Sequence, residues 1–177
     1  AGRVESGVGK KVVSLYAQQQ VEELLSQFVS DDGGFGYYEG MFGNLKTFGV
    51  EKALPVLHRI IEDSSYRSRL DSFKGNRDQF TRALRELSIM AIGDLGDKES
   101  IPRLKKALKT TTSFGFDDEH SHLIVALYKV GDRDSFKTFV ARLEKEASKA
   151  FSTDLKEDGV CQIVRDNPEF ELSKRCS

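Results

Sequence analysis

The chain has no tryptophan, and its 177 residues include only two cysteines, three prolines and two methionines. It also has almost no net charge, because 27 basic residues nearly balance 28 acidic ones. Such a balance provides no overall electrostatic footprint for nucleic acid or an anionic membrane, and we expect neither as a partner. Apolar runs are interrupted within a few residues, far short of the ~20 that span a bilayer. The composition indicates a soluble, folded protein with no transmembrane segment.

Sequence motifs of catalysis are also missing. The chain has no G-x-S-x-G, no Walker-type glycine and lysine run and no Cys-x-x-Cys. Acids and histidines are concentrated from Asp117 to His122. In a helix, His120 and His122 would point away from each other, and acids in a first turn are favoured by the helix dipole alone. Helix capping with solvated histidines is therefore a better interpretation than a metal site, and we expect no catalytic residue, cofactor or small-molecule ligand.

A pattern centred on a glycine occurs three times, at Gly49, Gly96 and Gly131. Apolar residues recur at intervals of three and four on both sides of each glycine, which indicates two amphipathic helices joined by a turn. Each glycine is expected in the left-handed conformation that ends a helix. Pro55 and Pro102 share one offset from their glycine, near the start of the second helix, where a proline costs little. The aligned apolar sets are Phe42/Ile89/Ile124, Leu45/Ile92/Leu127, Phe48/Leu95/Val130, Leu54/Ile101/Phe136 and Leu57/Leu104/Phe139.

The run from Leu87 to Leu108, L-S-I-M-A-I-G-D-L-G-D-K-E-S-I-P-R-L-K-K-A-L, resembles the short HEAT-like repeats of phycobilisome lyases and many bacterial proteins. The resemblance is close for this second repeat, good for the third and looser for the first. It implies an all-α, right-handed α-solenoid of about three HEAT-like helix pairs, each burying its apolar faces against its neighbours. We expect an N-terminal capping helix, whose apolar stripe includes Tyr16, Ala17, Val21 and Leu25, and an ordered C-terminal tail.

The repeats predict one domain over residues 1–177. Its parts are a capping helix and loop (1–37), repeat 1 (38–62), an inserted loop (63–77), repeat 2 (78–110), repeat 3 (111–150) and a C-terminal tail (151–177). The inserted loop follows from spacing, since Gly96 lies 47 residues after Gly49 but only 35 before Gly131. It has room for one helical turn on the surface. Helices are expected near 10–30, 39–48, 51–62, 78–95, 99–110, 118–130 and 133–150.

Both cysteines, Cys161 and Cys176, lie in the tail and outside the repeats. One hypothesis is a disulfide that pins the tail by closing a loop of about 15 residues. The alternative is two unrelated free thiols, with the tail held by the last repeat or by a partner chain. An oxidised pair would favour a periplasmic, secreted or organelle-lumen location, but the sequence leaves the compartment open.

Two groups of residues are candidates for contact with another protein. The first, which we call the basic ridge, is expected on the second helices, opposite their buried stripe, and comprises Arg59, Arg103, Lys105, Lys106 and Arg142. The second, the aromatic edge, lies near glycines in the loops before the repeats and comprises Phe35, Tyr37, Phe73, Phe114 and Phe116. Basic side chains can pair with an acidic segment of a partner protein, and aromatic side chains in loops suit protein binding. The alternatives are a solvated charged face and aromatic side chains that fill gaps between repeats.

These features favour a non-catalytic protein-binding scaffold or assembly subunit, whose partner is another protein or a larger protein assembly. The resemblance to phycobilisome lyases implies a second hypothesis, an enzyme-associated chromophore lyase or chaperone. That hypothesis rests on likeness of fold, because no residue specifically marks the handling of a chromophore. A coloured bound ligand would separate the second hypothesis from the first.

Overall fold

The computed structural model describes residues 5–27, 38–70, 77–111, 119–146, 159–167 and 170. Within these ranges the chain forms nine α-helices and one short 3-10 turn, Lys98–Ser100, with no β-strand. The predicted all-α class is therefore confirmed. The helices are α1 (Glu5–Gln27), α2 (Tyr38–Phe48), α3 (Val50–Glu62), α4 (Ser64–Arg69), α5 (Arg77–Leu95), α6 (Ile101–Thr110), α7 (Glu119–Lys129), α8 (Arg133–Glu146) and α9 (Gly159–Asp166). None of these helices combines the length and apolar character needed to cross a bilayer.

The chain divides into two compact units, Ala1–Ala91 and Ile92–Ser177, with the boundary inside α5. In the first unit α1 packs against both α2 and α3, and α3 also contacts α4. In the second unit α7 packs against α6, α8 and α9. Each unit thus buries the apolar faces of at least one predicted helix pair.

The three repeat glycines have the positive φ that the sequence predicts, but Gly49, with ψ 145°, lies outside the expected left-handed helical region. Their φ angles are +87° at Gly49, +69° at Gly96 and +101° at Gly131, values that residues with a Cβ rarely adopt. The amide of each glycine donates a hydrogen bond to the carbonyl three residues earlier, at 3.1, 3.1 and 3.0 Å respectively. A glycine with positive φ therefore lies at the end of each of α2, α5 and α7.

The aligned apolar positions form the cores of the helix pairs. The central position before the glycine and the last position after it are buried in all three repeats, with exposed fractions between 0% and 3%. The other aligned positions are buried or half-buried. The six residues at the first two positions are Leu45, Ile92 and Leu127 before the glycines and Leu57, Leu104 and Phe139 after them. Burial at matched positions is what specifies the repeated helix pair.

The two prolines do not occupy equivalent places, which corrects the sequence prediction. Pro102 lies in the first turn of α6, as expected. Pro55 instead lies inside α3, because that helix begins directly after Gly49. In the second repeat the matching residues form the 3-10 turn. Helix α6 therefore begins further from Gly96 than α3 does from Gly49.

The stripe predicted for α1 is only partly buried. Ala17, Val21 and Leu25, spaced four apart, are 7% exposed or less, but Tyr16 is 63% exposed. The prediction for Tyr16 was wrong, because the buried face of α1 is centred on Ala17, Val21 and Leu25 and does not include Tyr16. Leu15 beside it is also exposed.

The inserted segment between the first two repeats contains more structure than a surface loop. Residues 64–69 form α4, whose first turn is capped by Asp63, with the carboxylate accepting a hydrogen bond from the amide of Tyr66 (3.0 Å). Tyr66 is only 4% exposed. An aromatic side chain at this position therefore anchors part of the insertion to the first unit.

Part of the C-terminal tail is held by the last repeat. Helix α9 packs against α7 and buries Val160, Cys161 and Val164. Beyond the helix, the Tyr128 hydroxyl donates to Asn167 Oδ1 (2.9 Å), and Phe170 meets the Phe136 ring edge-on at 5.0 Å. Apolar burial and one polar contact thus hold residues 159–170 where they are described.

Candidate partner-binding surface

All five residues of the basic ridge are exposed. Arg103, Lys105 and Lys106 share α6, which also carries Lys109 and has no acidic residue. Arg142 lies on α8 in the same unit, whereas Arg59 lies on α3 in the first unit. The positive charge of the ridge is therefore concentrated on one ten-residue helix.

Arg59 is engaged within the first unit. Its guanidinium lies over the Tyr66 ring at 4.1 Å and approaches the Asp63 carboxylate at 4.0 Å. The Tyr66 hydroxyl donates to Glu22, and Gln18 Nε2 donates to the same hydroxyl at 3.3 Å. Burial first, and then Glu22, raise the pKa of Tyr66. Arg59 thus helps to hold α4 against its neighbours.

Lys105 is also engaged, with the turn of the following repeat. Its Nζ lies 2.9 Å from Oδ2 of Asp132, the residue after Gly131. Asp132 caps α8, with Oδ1 accepting from the Ser135 amide (3.3 Å) and Oδ2 accepting from the Ser135 hydroxyl (2.6 Å). Burial opposes ionisation of Asp132, but the hydrogen bonds from Ser135 and Lys105 outweigh it and lower its pKa. Lys105 therefore ties α6 to the start of α8.

A groove of about 400 Å³ opens between α6, α7 and α8 in the second unit, and we call it the α6–α8 groove. Its apolar floor consists of Leu108, Ile124 and Phe139, and Arg142 of the basic ridge lies on its wall. Its remaining lining residues are polar or charged: Lys109, His120, Asp134, Ser135 and Thr138. The groove combines an apolar base with a cationic border, which is a common arrangement at binding sites.

The histidines near the start of α7 do not match the sequence prediction of solvated side chains. Both His120 and His122 are half-buried, and the His120 ring stacks on Phe139 at 5.3 Å with an interplanar angle of 28°. Glu119, at the helix start, is buried. Among the described residues, no group of three or more histidine, cysteine or acidic side chains is placed to hold a metal ion. His120 instead forms one wall of the α6–α8 groove.

The five residues of the aromatic edge lie outside the described residues, so their role stays a prediction. The flanks of one loop are nevertheless defined. The Thr111 hydroxyl donates to Glu119 Oε1 at 2.7 Å and lies 3.1 Å from the Ala107 carbonyl oxygen. This pair joins the end of α6 to the start of α7, on either side of the segment with Phe114 and Phe116. The two described residues that flank this segment, Thr111 and Glu119, therefore lie in contact with each other.

The disulfide hypothesis concerns one described residue and one that is not. Cys161 is disulfide-bonded and fully buried against α7. Cys176 lies outside the described residues, so the pairing of Cys161 with Cys176 stays a prediction.

Sequence reasoning did not predict the α6–α8 groove or the burial of Tyr66. One signal for the groove was present, because the third repeat has Phe139 where the other two have Leu57 and Leu104. The side chain of phenylalanine is larger than that of leucine, and at this position it contributes to the lining of the groove. Nothing in the spacing around Tyr66 distinguishes it from a solvent-exposed loop residue.

Comparison with known protein families supports the repeat assignment. Residues 82–110 match the family model of the PBS lyase HEAT-like repeat. This segment spans most of α5, the 3-10 turn and all of α6, so the resemblance read from Leu87–Leu108 is confirmed. Residues 82–110 thus form a HEAT-like helix pair within a chain whose described residues are helical. No curated protein and no solved structure matches it significantly.

Proposed function

We propose that the chain is a non-catalytic, protein-binding scaffold or assembly subunit, with about three helix pairs arranged as a right-handed solenoid in one domain. One observation carries the proposal. Helix α6, which belongs to the matched repeat, has four basic residues and no acidic residue, and it borders an apolar groove. A positive helix beside an apolar groove suits an acidic surface on a protein partner.

Within this proposal we distinguish the ridge residues by their positions and contacts. Arg103 and Lys106 are exposed on α6, and Arg142 is exposed at the groove. We assign partner contact to these three. Lys105 and Arg59 also fix local structure, since their charges face Asp132 and Asp63. The aromatic edge remains part of the proposed surface.

Capture experiments test the proposal directly. The tagged full-length chain is used as bait in an extract of its native source, and captured proteins are quantified by mass spectrometry. We expect one protein in fixed proportion to the bait, with capture lost in the Arg103→Glu/Lys106→Glu variant. The matched control is Lys52→Glu/Lys137→Glu, which makes the same charge change at exposed lysines outside α6. Equal capture by both variants would contradict a role for α6.

A second candidate is the chromophore lyase or chaperone role, and the observation that favours it is the match to the PBS lyase HEAT-like model. In this role the chain would hold a tetrapyrrole and its acceptor protein. The measurement is the visible absorption spectrum of the chain purified from its native source. A coloured ligand in stoichiometric amount would favour this candidate, whereas a colourless chain with a fixed protein partner would favour the scaffold.

A further inference from the structure

We propose that the α6–α8 groove binds the apolar side chain of an acidic peptide segment whose carboxylates pair with cations of α6 and α8. This inference rests on the proposed function and specifies its partner chemistry. It specifies where one apolar side chain of the peptide binds, and it requires the peptide residues around that side chain to be negatively charged.

The floor of the groove accounts for the apolar anchor. Ile124 and Phe139 are at most 3% exposed, and Leu108 is half-buried, so the three side chains form a fixed apolar base. The His120 ring stacked on Phe139 extends this base with a flat wall. A volume of about 400 Å³ lies at the lower end of the range for ligand pockets, so the groove has room for one aromatic or branched side chain together with the peptide atoms on either side of it.

The border of the groove accounts for the acidic flanks. Lys109 and Arg142 contribute two positive charges to the lining, against one negative charge from Asp134. Arg103 and Lys106 add exposed positive charge along α6. A basic peptide would therefore be repelled over most of this surface, whereas carboxylates on both sides of the anchor would be attracted.

Thr138 provides a way to close the groove without disturbing the core. Its side chain lines the groove and is exposed, and its hydroxyl donates only a local bond to the Asp134 carbonyl (2.9 Å). A tyrosine at this position would add a bulky side chain to the lining of the groove. Serine would keep the hydroxyl and leave the groove open.

The test uses a fluorescein-labelled acidic peptide with one central phenylalanine, titrated with the full-length chain at low ionic strength and followed by fluorescence anisotropy. Two companion probes replace the phenylalanine with glycine, or every acidic residue with its amide. Loss of the anchor should weaken binding roughly ten- to hundredfold, the range expected for one buried aromatic side chain. The amide probe should bind at least about fivefold more weakly.

Variants then locate the binding site. Lys109→Glu and Arg142→Glu should each weaken binding by about fivefold, with the effect shrinking in high salt. Thr138→Tyr should abolish binding. Lys137→Glu is the matched control, because Lys137 is exposed on α8 but does not line the groove, and it should change binding by less than about twofold. Circular dichroism and urea midpoints verify that each variant is folded.

Several results would overturn the inference. Equal binding of the acidic and amide probes would remove the charge requirement, and unchanged binding to Thr138→Tyr would place the anchor elsewhere. A dimer that dissociates on Thr138→Tyr, seen by light scattering, would make a second copy the occupant. If capture of the native partner is lost in Arg103→Glu/Lys106→Glu but survives Thr138→Tyr, the proposed function stands and the groove inference fails. If no variant or wild-type chain captures a partner, the proposed function itself fails.

Discussion

The two compact units use the same apolar register, but the second adds polar and covalent ties that the first lacks at the matching places. The turn at Gly49 has no side-chain cap on α3, and the next residue, Val50, is an exposed apolar side chain. At Gly131 the next residue is Asp132, which caps α8 and pairs with Lys105 of the preceding repeat. Apolar burial at the aligned positions is thus common to both units, and the added contacts of the second unit join α6 to the start of α8.

The largest test of this difference concerns the disulfide of the second unit. We expect Cys176→Ser to lower the free energy of unfolding by about 3 kcal/mol, because the loop closed by a pairing of Cys161 with Cys176 would no longer restrict the unfolded chain. Replacing Cys176 leaves the buried Cys161 in place, so no hydroxyl enters the core. Urea unfolding without reductant measures the change.

Reductant provides the control for this prediction. Wild type with reductant should unfold like Cys176→Ser, and the variant itself should not respond to reductant. Alkylation of two free thiols in the native, unreduced chain would contradict the pairing and would remove the argument for an oxidising compartment.

A second test compares two helical glycines, one in each unit. A Cβ on Gly93 would lie 2.8 Å from Ala126 Cα, whereas a Cβ on Gly43 would meet nothing within 4 Å. Gly93→Ala should destabilise the chain by about 1–3 kcal/mol, because backbone atoms of α7 cannot move aside easily. Gly43→Ala should stabilise it by about 0.5–1 kcal/mol through helix propensity. Thermal and urea unfolding should therefore give opposite signs, and equal signs would argue against close approach of α5 and α7 at Gly93.

A third test removes the tie at the Gly131 turn. Asp132→Asn should reduce stability at neutral pH by about 1 kcal/mol, since it weakens a cap and removes an ion pair. The pKa of Asp132 is lowered in the folded chain, so its carboxylate stabilises the fold above the unfolded pKa of about 4. That contribution is lost as pH falls through the lowered pKa. The difference between wild type and variant should accordingly shrink and then disappear in acid.

Lys105→Met separates the two parts of this effect. It removes the ion pair but leaves the bonds between Asp132 and Ser135, so its cost should be smaller than that of Asp132→Asn. The double variant should show a coupling of about 0.5 kcal/mol between the two sites. Strict additivity would mean that Lys105 and Asp132 do not stabilise each other.

The sequence predicts what depends on neighbours along the chain, and it fails where distant helices meet. Spacing alone identified the burial of Leu45, Ile92 and Leu127 and the positive φ of the repeat glycines, because both follow from the helix period and from turn geometry. The contact of Lys105 with Asp132 depends on how α6 and α8 lie beside each other, which the spacing does not encode. The same reason hid the α6–α8 groove. Its cationic border was visible as Arg142, but its floor required the packing of three helices.

The prediction with the smallest effect places an acidic residue after Gly49 in the first unit, as Asp132 follows Gly131 in the second unit. Val50 is 40% exposed in the first turn of α3, so Val50→Asp would place a negative charge at the positive end of the helix dipole. We expect a gain of about 0.5 kcal/mol at neutral pH, lost as the pH falls below about 4, where the carboxyl protonates. Val50→Asn, which has the same shape without the charge, is the control and should gain less. If both substitutions destabilise the chain equally, the packing of Val50 contributes more than a charge can replace, and the uncapped turn of the first repeat is already stabilised by that side chain.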